Sequence, residues 1–383
     1  MTSATATTIT TTTTLSLIDG ITAWMQCESP THSPAGVAAM VADMARYAVE
    51  GGLHTTVTEL GERVGPLLHV TNRAPGDTRP GLLILGHSDT VHPVGTLQDN
   101  PCRTEGDRLY GPGGYDMKAG IYLAMTALRE LAAAGASALP IDFVVVPDEE
   151  TGSHASRPHI EAFARNARYA LVCEPARANG GKCVTARKGT GMLRLGVKGR
   201  AAHAGVSHDK GRSAIREMAH QILALEAMTD YVRGVTVSVG TIEGGTATNT
   251  VPERCRCVVD FRLPDLQAAD DLVDRMQALR PVGADMELDI DVEVNRPPMV
   301  KSEAVAALLD RAKLSAQHAG FALEDAPMTG GGSDANFTSA LGVPTLDGLG
   351  ADGDGAHTLH EHILVSTLEA RLNFWRHLLA HLA

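Results

Sequence analysis

Gly81-Leu82-Leu83-Ile84-Leu85-Gly86-His87-Ser88-Asp89-Thr90 is the stretch on which the fold turns. Residues 81–85 carry no polar break, so they read as a strand buried on both faces. Gly86 opens a loop, and a histidine and an acid stand just past the strand end. The same order recurs downstream. An apolar run at 141–146 leads into Pro147-Asp148-Glu149-Glu150-Thr151-Gly152, and one at 169–173 leads into Glu174-Pro175. Helical patterns lie between, at 117–134 (rich in Ala, Leu and Met) and at 156–164. Strands alternating with helices predict an α/β layered domain with a mixed, largely parallel sheet.

Toward the N-terminus, residues 15–25 and 34–50 read as helices, and 55–60 and 67–71 as strands. The Thr-rich residues 1–14 have neither a basic segment nor an apolar run, so a disordered leader is expected rather than a secretory signal. Toward the C-terminus the pattern changes near Arg187. Residues 191–198 alternate apolar and charged, as in a sheet with one solvated face. A helix at 213–229, strands at 236–242 and 254–263, a helix at 266–279 and a strand at 287–295 complete a β-α-β-β-α-β order, the signature of a ferredoxin-like α+β domain. Past Pro297 come a helix at 302–319, a glycine-rich loop and a terminal helix at 364–382. The expected division is therefore 15–187 with 297–383 as one domain, interrupted by an inserted domain at 188–296.

A chain of 383 residues exceeds what a single core usually holds, which agrees with two domains. Hydrophobic residues at 44% and charged residues at 20% are ordinary for a globular protein, and no run approaches the ~18 apolar residues of a membrane span. A formal charge of -12 argues against nucleic acid or an anionic membrane as partner, since both attract basic surfaces. The six cysteines (27, 102, 173, 183, 255, 257) contain no CxxC pair and read as reduced, buried small hydrophobes, which points to the cytoplasm. Cys255 and Cys257 fall on one face of a strand, with no second pair to complete a zinc site.

Ligands of open α/β sheets collect at the carboxyl ends of the strands, and that is where the acidic and His residues stand. His87, Asp116 in Gly113-Gly114-Tyr115-Asp116-Met117-Lys118, Glu150, Glu174 and a histidine of His357-Thr358-Leu359-His360-Glu361-His362 form the candidate set. Two imidazoles and three carboxylates, one of them bridging, suit two zinc ions that turn water into a nucleophile at neutral pH. Asp89, two residues from His87 on an extended segment, can orient the ring from its other nitrogen. Glu149 sits beside a ligand but points elsewhere, which suits a general base. Each motif alone is commonly a packed histidine or a solvated acid; their ordered recurrence at strand ends is what separates them from background. A nucleotide-binding reading is disfavoured, because GxGxxG and GxxxxGK[ST] are absent from the strand–helix junctions.

The ordered set GHSDTVHPVGTL, YGPGGYDMKAGI, VVPDEETGS, CEPA, ARKGTG, KGRAAHAG, GGTATNTVP, VDFRL, GGGSDANF and HTLHE resembles the M20 metallopeptidase family, most of all its glutamate carboxypeptidase (carboxypeptidase G2-like) branch. The resemblance runs from about residue 15 to the end. It implies Asp116 as the bridge between two zinc ions (cobalt or manganese being possible substitutes), His87 with Glu174 or Glu150 as terminal ligands, and Glu149 as base. It also implies a cis peptide at Asp116-Met117. The last ligand precedes a Glu by four residues in the family pattern, which selects His357, with His360 as the fallback. Glu at 174 leans toward the carboxypeptidase or deacylase side of the family.

For the insert, the resemblance implies a lid that also makes a homodimer. His203 then reaches the partner's active site and stabilises the oxyanion. Asn249 and Arg262 match polar groups near a substrate carboxylate, Arg296 is a further candidate to join them, and a guanidinium fits carboxylate bidentately. A structural ion pair with Asp260 or Asp265 is the competing account of Arg262. Gly331 and Gly332 let backbone N–H groups approach substrate, a flexible loop being the alternative. The implied activity is release of a C-terminal, Glu- or Asp-like amino acid from a peptidyl or N-acyl substrate. N-acyl-amino-acid deacylases and dipeptidases of the family share the metal set and stand as the alternative, and a metal-free binding relative is the non-enzymatic one.

Overall fold

Every residue of the Gly81–His87 strand is buried, and the sheet grows outward from it on both sides. The structure, a computed structural model, describes residues 13–135, 138–177 and 180–382. Most of the expected leader lies outside these residues; Thr13 caps the Thr14–Met25 helix, accepting from the Ser16 N–H. The chain divides into two compact units.

The first unit runs to Thr185 and resumes at Ser302–Ala326 and from Val343 onward. Its six-stranded sheet has the order His54–Thr58, Leu67–Thr71, Ile141–Val146, Gly81–His87, Ala167–Val172, Thr345–Leu346. Gly81–His87 is parallel to both neighbours, and Thr345–Leu346 is parallel to Ala167–Val172. The remaining two pairings are antiparallel. The sheet is thus mixed and largely parallel. Three parallel central strands end side by side, which delivers His87, the Asp148–Glu150 segment and Glu174 to one edge. The Ala119–Ala134 helix is buried without interruption from Ala119 through Leu128 and packs against the terminal Leu368–His381 helix. A helix apolar on all sides is stable only when so enclosed.

Two departures from expectation bear on the site. The predicted helix at 117–134 begins only at Ala119; Gly114–Lys118 is a separate turn in which Asp116 lies outside the helical region (φ -116, ψ 91). The predicted terminal helix at 364–382 begins at Leu368, because His362–Leu364 is a strand. It belongs to a small antiparallel sheet in the order Gly353–Asp354, His362–Leu364, Arg108–Tyr110, Arg103–Glu105. Strands of two and three residues show no period in sequence, so none of the four was legible there.

The second unit comprises Ala186–Lys301 and Pro327–Gly342. Its antiparallel sheet runs Thr236–Gly244, Arg254–Leu263, Gly189–Lys198, Glu287–Arg296, the arrangement a β-α-β-β-α-β chain adopts when it folds as a ferredoxin-like unit. The Ala214–Glu226 and Leu266–Gln277 helices pack on this sheet. Alternation along Arg254–Leu263 sends Cys255, Cys257, Val259, Phe261 and Leu263 into the core with Leu193, Leu195, Met218 and Leu272. Burying the Phe261 side chain contributes about 1.5–3 kcal/mol. One boundary needs correction: 327–342, grouped by sequence with the first unit, packs in the second. The reason is hydrogen bonding. Asn336 donates from Nδ2 to the carbonyls of Lys188 (3.2 Å) and Pro297 (2.6 Å), and the Lys188 N–H donates to Thr329 O.

All six cysteines are free. Among the described residues, no helix is long and apolar enough to cross a membrane.

Candidate metal centre

His87 terminates its strand with a ring 1% exposed. Its Nδ1 lies 2.8 Å from the Asp89 carbonyl, which can only accept, so Nδ1 carries a proton, and Nε2 is directed toward Asp116 in the site. Asp89 thus meets the ring chiefly through its backbone carbonyl; its carboxylate is 3.5 Å away. That carboxylate, fully buried, accepts instead from Thr31 Oγ1 (2.7 Å) and from the N–H groups of Glu149 and Glu150 (3.2 Å each). Asp89 thus ties the end of one strand to the acidic turn that follows the next.

Asp116 lies between two histidines. Its Oδ1 is 3.1 Å from His87 Nε2 and its Oδ2 is 3.3 Å from His357 Nε2. His357 Nε2 is also 3.4 Å from Glu150 Oε2, and His87 Nε2 is 3.9 Å from Glu174 Oε1. Two triads result, His87–Asp116–Glu174 and Asp116–Glu150–His357, each with donor atoms within 4.8 Å of one another. The structure brings together all five residues read from the sequence, and Asp116 is common to both triads. His360 is exposed and belongs to neither. The Asp116–Met117 peptide is cis. Gly113, at φ +67, passes so close to Thr90 that a Cβ there would meet its Cγ2 at 2.4 Å.

The electrostatics of this cluster are those of a cation site. Burial pushes Glu174 well above the usual carboxylate range, and the charges of Asp116 and Glu149 push the same way. Burial also raises Glu150. Asp116 is likewise penalised by burial, yet hydrogen bonds from His357 and His87 hold it below its ordinary value. Burial disfavours charge on His87, but its bonds to Asp116 and Asp89 outweigh that and lift it. Hydrogen bonds to Asp116 and Glu150 raise His357 to about 10. Glu150 Oε1 is buried with no hydrogen-bond partner among the described residues. A buried carboxylate oxygen left unpaired is costly, and a bound cation satisfies it. The donor set therefore fits divalent cations. His357 itself stands at φ +65, a region non-glycine residues seldom adopt and functional sites often hold.

Sequence reasoning missed the residues beneath the site. Glu361, 1% exposed, lies under the Asp116 turn and bonds His92; it entered the reading only as a spacing marker. Lys118, also 1% exposed, donates to the Cys27 carbonyl, and burial lowers its pKa to about 8. Their signal was a charge inside apolar sequence, which alone does not separate burial from exposure.

In the second unit, His203 and Asn249 are neighbours. His203 pairs with Thr250 across two short strands, and the Ala204 N–H donates to Asn249 O. Both side chains lie on exposed residues. Arg262 makes a bidentate pair with Asp260 (2.8 Å twice) and reaches Gly330 O at 3.3 Å, so the competing ion pair is present; its side chain remains 33% exposed. Arg296 is buried, paired with Asp334 at 2.7 Å and set over the Phe337 ring, and so braces the 327–342 segment. Gly332 is required by close approach, since a Cβ would meet Arg296 Cδ at 2.6 Å, whereas the Gly331 N–H is turned toward Thr329 Oγ1 at 3.4 Å.

Fold and site together define the class: a metallohydrolase on a largely parallel α/β sheet. The model of Peptidase family M20/M25/M40 matches residues 83–381. Carboxypeptidase G2 of Pseudomonas sp. (strain RS-16) is 30% identical over 310 residues, covering 79% of this chain and 74% of that one. A succinyl-diaminopimelate desuccinylase of Cupriavidus taiwanensis is 29% identical over 341 residues, 84% and 87% of the two chains. In fold, the M20 family metallo-carboxypeptidase Sso-CP2 of Sulfolobus solfataricus superimposes with a TM-score of 0.75 at 17% identity, over 95% of this chain and 98% of that one. The chain belongs to Peptidase family M20/M25/M40, and it is an enzyme that hydrolyses amide bonds.

Proposed function

We propose that the chain is a two-zinc hydrolase that releases a C-terminal amino acid, Glu- or Asp-like, from a peptidyl or N-acyl substrate. The observation that carries the two-metal part is Asp116, one oxygen toward His87 and the other toward His357. His87 and Glu174 would hold one ion, Glu150 and His357 the other, with Asp116 shared. Two zinc ions there (or cobalt or manganese, which such ligands also accept) supply Lewis acidity and a water acidic enough to attack at neutral pH. Glu149 takes the proton from the attacking water on its carboxylate and delivers it to the departing nitrogen. Its backbone N–H donates to Asp89 Oδ1, which holds the residue beside the triads.

The substrate carboxylate is assigned to Arg262, partly exposed and pre-oriented by Asp260, with Asn249 beside it in role. Arg296 supports this end of the sheet from within. A deacylase of small N-acyl amino acids is the alternative, favoured by the similarity to a desuccinylase. Hydrolysis of N-acyl amino acids and of α- and γ-glutamyl amides, with and without added zinc, separates the two. Preferred release of Glu or Asp supports the first reading, and preference for a basic or neutral amino acid overturns it.

A homodimer through the second unit, in the cytoplasm, completes the proposal. The Thr236–Gly244 strand is a sheet edge, and Ile242 and Leu223 are 55% and 72% exposed. Open edges and exposed apolar residues favour pairing with another chain. In the dimer, His203 of the partner subunit stabilises the developing oxyanion. Mixing inactive Glu149→Gln and His203→Ala chains is then expected to restore activity in the heterodimer; verified heterodimers without activity refute the exchange.

A further inference from the structure

We propose that the buried Glu361–His92 pair is a positioning device that holds the Asp116 turn and the His357 loop in register. The inference rests on the metal-centre reading above. Glu361 Oε1 accepts from the N–H groups of Tyr115 and Asp116, both at 2.9 Å. Its Oε2 accepts from the Gly113 N–H at 3.1 Å and from His92 Nε2 at 2.5 Å. Since a carboxylate only accepts, His92 must present a proton at Nε2. Four donors fill the roughly four lone-pair sites of the ionised group. Three of the four are backbone amides of the turn that carries Asp116.

The other end of the device is the His357 loop. Glu361 lies four residues after His357, and the intervening chain is closed by Thr358 N–H to Gly355 O (3.0 Å) and Glu361 N–H to Thr358 O (3.2 Å). The Gly111 N–H donates to Glu361 O at 3.3 Å, and the next residues pair with Arg108–Tyr110. His357, with a side chain 54% exposed, is not placed by packing. Its position relative to Asp116 is set by the anchored carboxylate four residues later. A buried carboxylate is tolerated only where donors compensate its lost hydration, and charge-assisted bonds are the stronger kind. Glu361→Gln keeps the shape but turns an amide NH2 toward groups that are themselves donors.

The test uses the full-length chain with Glu361→Gln, His92→Leu and His92→Gln. Hydrogen exchange over residues 111–118 is followed in metal-free protein, and zinc affinity is measured by chelator competition. In Glu361→Gln, exchange at 113, 115 and 116 is expected to speed up at least about 10-fold, and zinc binding to weaken about 10–100-fold. Turnover is expected to fall in kcat with KM unchanged, and exchange in the second unit to stay at the wild-type rate. His92→Gln retains a side-chain N–H and is expected to recover most of what His92→Leu loses. A purely structural role would not give that rescue. Wild-type exchange and zinc affinity in Glu361→Gln overturn the proposal, as does a His92→Gln variant no better than His92→Leu. If Glu361→Gln does not fold, the His92 pair decides. Wild-type protein that bound no zinc would refute the metal centre instead, and the exchange rates would still decide the positioning role.

Discussion

Glu149→Gln is expected to lower kcat by about 10²–10⁴-fold, the usual contribution of a positioned general base, with bound metal unchanged. On the proposed reading, adjacent residues of one short turn have divergent tasks. Glu150 turns inward, its side chain 7% exposed and 3.4 Å from His357. Glu149 is partly exposed, and its charge is felt at Glu174. Gln preserves volume and hydrogen-bond acceptance but cannot carry the transferred proton. Kinetics on the best substrate, with zinc per chain from atomic emission, check the outcome. Full activity in this variant would remove Glu149 from the reaction, and loss of zinc would make it a ligand instead.

Asp116→Asn is expected to be more damaging still. An amide places an oxygen toward one histidine and an NH2 toward the other, so one triad keeps an acceptor while the other receives a donor. The negative charge common to both is lost. Bound metal is expected to fall to at most one ion per chain. Activity should drop by at least about 100-fold, beyond the 10–100-fold typical of residues one layer out. Two ions retained per chain with near-normal turnover would show that Asp116 is not shared. Thermal unfolding in the presence of chelator separates this effect from a general loss of fold.

Legibility from sequence followed the locality of each signal. The buried run at 81–85, the alternation at 191–198 and the helical patterns between them are read within a few residues, and all became strands or helices near the expected bounds. The strand-end rule then placed His87, Glu150 and Glu174 on one edge, because parallel neighbours must end together. The resemblance selected His357 over His360; the distances of His357 Nε2 to Asp116 and Glu150 belong to the folded loop.

By itself, then, the sequence determined the α/β class, the inserted β-α-β-β-α-β unit and the residue types of the candidate metal centre. Each of these is written in short-range periodicity or in motifs beside strand ends. Only the tertiary structure decided that 327–342 joins the second unit, that Arg296 pairs with Asp334, and that Asp89 meets the His87 ring chiefly through its carbonyl. It alone showed Glu361 under Asp116, bonded to His92 across 269 positions of sequence. The physical reason is common to all of them. Which partner satisfies a buried polar group depends on what the folded chain brings within about 3 Å, and residue order along the chain does not encode that distance.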